Sequence, residues 1–223
     1  MSRTPRFTME YGTYHIMSRG HNKRNIFHSA SDFEKYLNIL TTNRTKYSIK
    51  IYRYTPMTNH THLIIMVPDL TNLSNSMRFL NQSYAHYYRK KYGGVGYVWQ
   101  DRYKSFLIHD GIYLLECSRY VEMNLVMAGI VSPPEEYQWP SYNVYIQGNK
   151  TGFIGLDPEY MTLSDNPQTR RKLYKQFISE GIKEKRILTR YFKVGVYGNE
   201  KFINVLIGKG LKKTNWKMGR PHK

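Results

Sequence analysis

Cysteine is almost missing from this 223-residue chain. The single one, Cys117, excludes an internal disulfide framework and a cysteine-rich zinc site. Long apolar runs are missing too. None approaches the ~20 residues that a helix needs to span a bilayer, and no basic amphipathic segment calls for a membrane surface. The opening Met1-Ser2-Arg3-Thr4-Pro5-Arg6 lacks the apolar centre of a signal peptide, so the expectation is a cytoplasmic protein. Acids are scarce: 16 Asp and Glu stand against 34 Lys and Arg, a net charge of +18. That excess favours a polyanionic partner, most often nucleic acid, and a cytoplasmic DNA-binding protein would sit at the nucleoid. What is plentiful agrees with this. Aromatic residues make up 15% of the chain, 21 of them tyrosines, and aromatic rings are the usual platforms for unpaired bases. Hydrophobic content of 40% is enough for a core.

Apolar periodicity gives the element order. Tyr14-His15-Ile16-Met17-Ser18 reads as a strand closed by Arg19-Gly20. Ser31-Asp32-Phe33-Glu34 reads as a helix start with Ser31 as cap, and Phe33, Tyr36, Leu37 and Leu40 follow at helical spacing. Residues 49–54 and 61–67 are strands, the second ended by Pro68-Asp69. Leu73, Met77, Leu80, Tyr84 and Tyr88 form one stripe of a long helix from Leu70 to about Lys91, broken by Gly93-Gly94-Val95-Gly96. A short strand over 105–108 and a helix from Ile112 to about Ala128 complete the series. The order β-α-β-β-α-β, followed by a helix, predicts an α+β fold with a ferredoxin-like antiparallel sheet. We divide the chain into a core domain over 1–148 and a basic, mainly helical extension over 149–223. From Arg170 to Lys223 there are sixteen Lys and Arg against three Glu. In that extension 166–181 reads as a helix with Leu173, Phe177 and Ile178 inward, and 201–211 as another.

Residues two apart on a strand share a face. His60 and His62, at the polar entry to Leu63-Ile64-Ile65-Met66-Val67, therefore point the same way. Two neutral imidazoles side by side can ligate one divalent metal. A hard-metal site adds an oxygen ligand and leaves positions for substrate oxygens. Glu116, Tyr120 and Asn124 lie four apart and so share one face of the third helix. A tyrosine hydroxyl can serve as a nucleophile, but spacing alone does not single out Tyr120 among 21 tyrosines.

The segments resemble a known family. Asn59-His60-Thr61-His62-Leu63-Ile64 is similar to the histidine–hydrophobe–histidine strand of the HUH endonucleases. Gly96-Tyr97-Val98-Trp99-Gln100-Asp101-Arg102-Tyr103-Lys104 resembles the segment before the last core strand of REP-associated tyrosine transposases. The run from Tyr113 to Gly129 resembles their catalytic helix, and Arg19-Gly20 to Phe27, with Asp32, resembles their opening. The likeness runs in order from about residue 10 to 145. It departs in three places: Thr61 stands between the histidines in place of a bulky apolar residue, Leu125 follows Asn124 where proline is common, and Thr58 stands where proline is frequent.

The resemblance implies a magnesium- or manganese-dependent enzyme acting on hairpin-containing single-stranded DNA. Tyr120 corresponds to its nucleophile, which forms a 5′-phosphotyrosine link, and His60, His62 and Asn124 to its metal ligands. Two imidazoles and an amide would also suit zinc. Trp99, Tyr97, Tyr103 and tyrosines of the 84–88 run are candidates to stack on bases, although helical spacing puts Tyr84 and Tyr88 on the core stripe. Arg102 and Lys104 are candidates to supply charge near the phenol. Lys212, Lys213, Lys217 and Arg220 form a basic arm for phosphate contacts. The rival readings are a non-catalytic hairpin DNA or RNA-binding regulator, and a replication initiator or relaxase with the same histidine pair. Both a monomer and a homodimer fit the sequence.

Overall fold

Strands buried along nearly their whole length need a sheet with two covered faces, and the computed structural model, which describes residues 11–148, 152–181 and 195–211, has that layout. The chain runs β1 (Gly12–Arg19), α1 (Ala30–Lys46), β2 (Lys50–Met57), β3 (His60–Val67), α2 (Leu70–Tyr92), β4 (Lys104–Ile108) and α3 (Ile112–Met127). Then follow α4 (Tyr142–Gln147), α5 (Pro158–Met161), α6 (Pro167–Ser179), β5 (Val196–Tyr197) and α7 (Glu200–Gly208). The sheet order is β2-β3-β1-β4-β5. The first four strands are antiparallel neighbours, the ferredoxin-like arrangement that the element order predicts. β5 adds a parallel edge to β4. Two residues carry too little alternation to be read as a strand from sequence.

The two faces have different tasks. Leu63, Ile65 and Val67 of β3 join Tyr14 and Ile16 of β1 in a core under α1 and α2, with Leu73, Met77, Leu80 and Tyr84 packed down on them. Tyr84 and Tyr88 are thus core residues, and the Tyr84 hydroxyl donates to the Ile26 carbonyl (2.7 Å). Thr61 also faces this side. The Tyr36 hydroxyl of α1 donates to its Oγ1 at 3.3 Å, so the residue between the two histidines serves the core and leaves the opposite face to the imidazoles. On that opposite face Ile64 and Met66 meet Leu114, Cys117 and Val121 of α3.

Local signals set the helix ends. α1 is capped by Ser29, two residues before the expected Ser31, because Asp32 reaches back to accept from the Ser29 backbone N–H (2.9 Å) in a capping box. α3 runs through Leu125 to Met127, since Leu125 leaves every backbone donor in place where proline would remove one.

A fully buried arginine fastens α3 and the following helices to the sheet. Arg53 of β2 forms ion pairs with Glu122 of α3 (3.0 Å) and with Asp157, the N-cap of α5 (2.7 Å). Its guanidinium lies 3.2 Å from the Tyr145 ring centroid. The Tyr174 hydroxyl of α6 donates to Glu122 Oε2 at 2.7 Å. This network decides the inward stripe of α6, which is Arg170, Tyr174 and Ile178. Leu173, expected inward, is 40% exposed. The register follows the tyrosine that completes the polar network, and apolar character alone points one residue away from it. Phe177 packs partly buried beside Ile178.

One guanidinium offsets one of two buried carboxylates. Burial, with repulsion from Asp157, pushes the Glu122 carboxyl up to about 7 against the pull of Arg53 and Tyr174. A folded-state value above the ordinary one means that the folded chain holds an extra proton between the two, so this contribution is present at low pH and is lost as pH rises through about 7. Glu122→Gln mimics the protonated acid. Thermal melts of wild type and variant should differ little near pH 5, and the variant should become the more stable by roughly 5–10 °C near pH 8.5. A difference that does not change with pH would contradict this assignment.

Candidate active site

The site forms where the first residues of β3 meet the last of β1. Register places His60 opposite Arg19 and His62 opposite Met17, and Met17 opposite Lys104 of β4. Directly paired residues in an antiparallel sheet share a face. Arg19, Met17, His15, His60, His62 and Lys104 therefore all stand on the side covered by α3. Gly20 closes this end: its N–H donates to the Asn59 carbonyl (2.8 Å), and a Cβ there would lie 2.4 Å from the Arg24 carbonyl oxygen. Only glycine allows the Arg19-Gly20 turn to come this close to the β2–β3 corner.

The imidazoles are held individually. His60 Nδ1 lies 2.5 Å from Asn59 Oδ1. His62 Nδ1 lies 2.8 Å from Nε2 of His15, a fully buried residue of β1, and the two rings stack with centroids 5.1 Å apart and an interplanar angle of 14°. His62 Nε2 is buried and has no hydrogen-bond partner among the described residues. Burial pushes His15 down to about 3 and, with Arg19 nearby, His60 down to about 4; burial, His15 and His60 hold His62 well below the usual range. All three rings are neutral at pH 7.

Tyr120 of α3 presents its half-buried ring edge-on to both inner histidines, with centroids 5.8 Å from His62 and 5.7 Å from His15. Burial, with the Cys117 thiol, pushes its phenol up to about 12, against a hydrogen bond with Asn124 that lowers it. Asn124 donates Nδ2 to the Tyr120 carbonyl at 2.7 Å. Lys104 is held below the usual amine range by burial and by Arg19, with Asp101 acting the other way. Glu116, on the same helix face, accepts a hydrogen bond from Tyr197 of β5.

The fold thus brings His60, His62 and Tyr120 together within one chain. Among the described residues, no three of His, Cys, Asp and Glu form a metal-binding group. The donors available to a divalent ion here are two neutral imidazoles, one with a buried nitrogen left without a partner among the described residues; the Asn124 amide is one helical turn from Tyr120 and hydrogen-bonded to it. That set leaves room for substrate oxygens and suits a hard or borderline cation.

The other expected contacts are scattered. Trp99 is packed on α2, its indole N–H donating to the Asn81 carbonyl (2.8 Å). Tyr103 is buried in the core under α2, because 98–103 folds back along β1 through the Gly20–Trp99 bridge, so its ring offers no open face to a base. Tyr97 is 76% exposed and Arg102 is exposed, both in the segment leading into β4. Lys212, Lys213, Lys217 and Arg220 lie outside the described residues. Sequence reasoning passed over His15 and Arg19. Both follow from β1 alternation once β1 is placed beside β3, which puts His15, Met17 and Arg19 on the histidine face.

Comparison with known proteins places the fold among transposase structures. Over 70% of the chain and 93% of its counterpart, the fold is similar to that of a REP-associated tyrosine transposase solved bound to a REP hairpin, with a TM-score of 0.58 at 17% identity. A candidate transposase of Deinococcus radiodurans R1 aligns over 54% of this chain and 96% of its own at 12% identity, with a TM-score of 0.39. No curated protein matches. No helix among the described residues is long and apolar enough to cross a membrane. Residues 8–124, just over half of the chain, match the family described as "Transposase IS200 like", and the chain belongs to that family of transposases.

Proposed function

We propose that this transposase cuts and rejoins single-stranded DNA beside a hairpin through a covalent 5′-phosphotyrosine on Tyr120. The observation that carries the reading is the edge-on seat of the Tyr120 ring against His62 and His15 in the same chain. The structural relative is bound to a REP hairpin, and a hairpin is the substrate class proposed here.

His60, His62 and Asn124 would hold a divalent cation, magnesium or manganese in preference to zinc because phosphate oxygens are hard ligands. Bound there, such an ion polarises the scissile phosphate and offsets its developing charge. The remaining chemistry belongs to the chain. The Tyr120 oxygen attacks phosphorus, a P–O bond to Tyr120 forms, and the P–O3′ bond breaks. The phenol gives up its proton as it bonds, and the departing 3′ oxygen gains one, so the step is balanced. Reversal by the same or another 3′-hydroxyl joins strands. A phenol pushed up to about 12 needs positive charge nearby to react at neutral pH. Arg19 and Lys104 supply it from the same sheet face. Arg102 and Tyr97, exposed in the segment leading into β4, are the proposed contacts for an unpaired strand, and Trp99 supports that segment from its seat on α2.

A labelled single strand with a hairpin and manganese should give a protein–DNA adduct that survives denaturing gels. Tyr120→Phe should lower adduct yield by at least ~10³-fold while hairpin binding persists. Undiminished adduct from the phenylalanine variant would remove Tyr120 as the nucleophile.

The basic arm is proposed to bind phosphates of the strand. Deleting residues 212–223 should lower the salt dependence of single-strand binding by about 0.7 in log–log slope for each phosphate that the arm neutralises, roughly 1–3 in all. An unchanged slope would show that the arm does not touch the strand.

A further inference from the structure

A histidine buried beside a metal-ligating pair needs a reason to be there. His15 is fully buried, and polar groups in such places are retained when a specific partner satisfies them. One such partner is His62 Nδ1, 2.8 Å from His15 Nε2.

A proton on this bond has two arrangements. If His15 donates, His62 must carry its own proton on Nε2. That N–H is buried without a partner among the described residues, and an orphaned buried donor is costly. It also cannot ligate a metal, because its lone pair is used. If His62 donates from Nδ1, its Nε2 is a bare lone pair, equally buried and without a protein partner among the described residues, and a bound cation is what would satisfy it. The neighbouring histidine shows the same arrangement. Asn59 gives its Nδ2 to the Lys23 carbonyl (3.2 Å), which turns Oδ1 toward His60 Nδ1 as an acceptor at 2.5 Å. His60 therefore carries its proton on Nδ1 and leaves Nε2 bare.

We infer that His15 is a positioning residue that accepts the Nδ1 proton of His62 and so holds His62 in the one neutral tautomer able to bind a metal through Nε2. The ring stack with His62 fixes the plane of that imidazole as well as its proton. Outer partners that fix a ligand's tautomer are usually carboxylates or backbone carbonyls. A second neutral imidazole does the same without placing a negative charge behind the phosphate-binding face. The inference rests on the proposed role of His60 and His62 as ligands.

Nitrogen-15 NMR of the metal-free full chain reads the tautomer directly, and manganese binding followed by electron paramagnetic resonance reads its consequence. His62 is expected protonated at Nδ1 and bare at Nε2 in the wild-type chain. His15→Leu, which removes the acceptor, should weaken manganese binding ~10–100-fold. His15→Gln, whose amide oxygen can accept the same proton, should restore most of it. A wild-type His62 protonated at Nε2, or a leucine variant that binds manganese as the wild type does, overturns the inference while leaving the metal site standing. Manganese binding that survives His60→Ala would overturn the ligand reading, and the inference with it. The wild-type tautomer needs no variant, so a leucine chain that fails to fold does not shelter the proposal.

Discussion

Arg53 is the fixed point of the molecule's functional half. A guanidinium with no solvent contact is tolerated only where charge and hydrogen-bond partners surround it. Here they come from separate parts of the chain: Glu122 from α3, Asp157 from the cap of α5, the ring of Tyr145 from α4 and, through Glu122, the hydroxyl of Tyr174 from α6. Such a network adds little net stability over a well-packed apolar one, but it specifies which side chains meet. Successive residues turn by about 100° around a helix, so Glu122 and Tyr120 flank Val121, which is buried against the sheet. With Glu122 held by Arg53 on one flank, Tyr120 is turned toward β1 and β3 on the other.

The sheet divides the work. Its α1–α2 face carries the larger apolar core and takes up the side chains that would otherwise crowd the site, Thr61 and Tyr103 among them. Its α3 face collects neutral imidazoles, a protonated phenol and cations at one end. The imidazoles, the phenol and Lys104 sit away from their ordinary titration behaviour chiefly because they are buried. The arrangement suits the polyanionic substrate proposed above: neutral imidazoles retain their lone pairs, and Arg19 and Lys104 put positive charge on the same sheet face.

Much of this was legible in the sequence, and what was not has physical reasons. The β-α-β-β-α-β order was readable because the strands are short runs rich in apolar, β-branched and aromatic residues bounded by turn residues, and α2 carries a long apolar stripe. The shared face of His60 and His62 follows from strand geometry, and the one-turn spacing of Tyr120 and Asn124 from helix geometry. His15 was hidden because its meaning depends on which strand lies beside β1. The Arg53 network was hidden because charged residues in a sequence read as surface, and only the tertiary structure pairs residues 53, 122 and 157. The same blindness misplaced Leu173, since a buried tyrosine bound to a carboxylate outranks a leucine one position earlier. Tyr103 was misjudged in the opposite sense: an aromatic in a polar loop looks available for stacking until the loop folds back along β1. Ser31 gave way to Ser29 because the capping carboxylate of Asp32 selects the residue three before it.

The central claim is that one chain supplies both the paired imidazoles and the phenol that acts beside them. Mixing Tyr120→Phe chains with His62→Ala chains, under conditions where wild-type chains form a covalent DNA adduct, tests it most directly. Each variant lacks one half of a centre that the other retains. The mixture is expected to give no adduct, because no single chain in it holds a complete centre. Recovery of adduct in the mixture, with neither variant active alone, would mean that the phenol is delivered to another chain's histidines and would contradict the account.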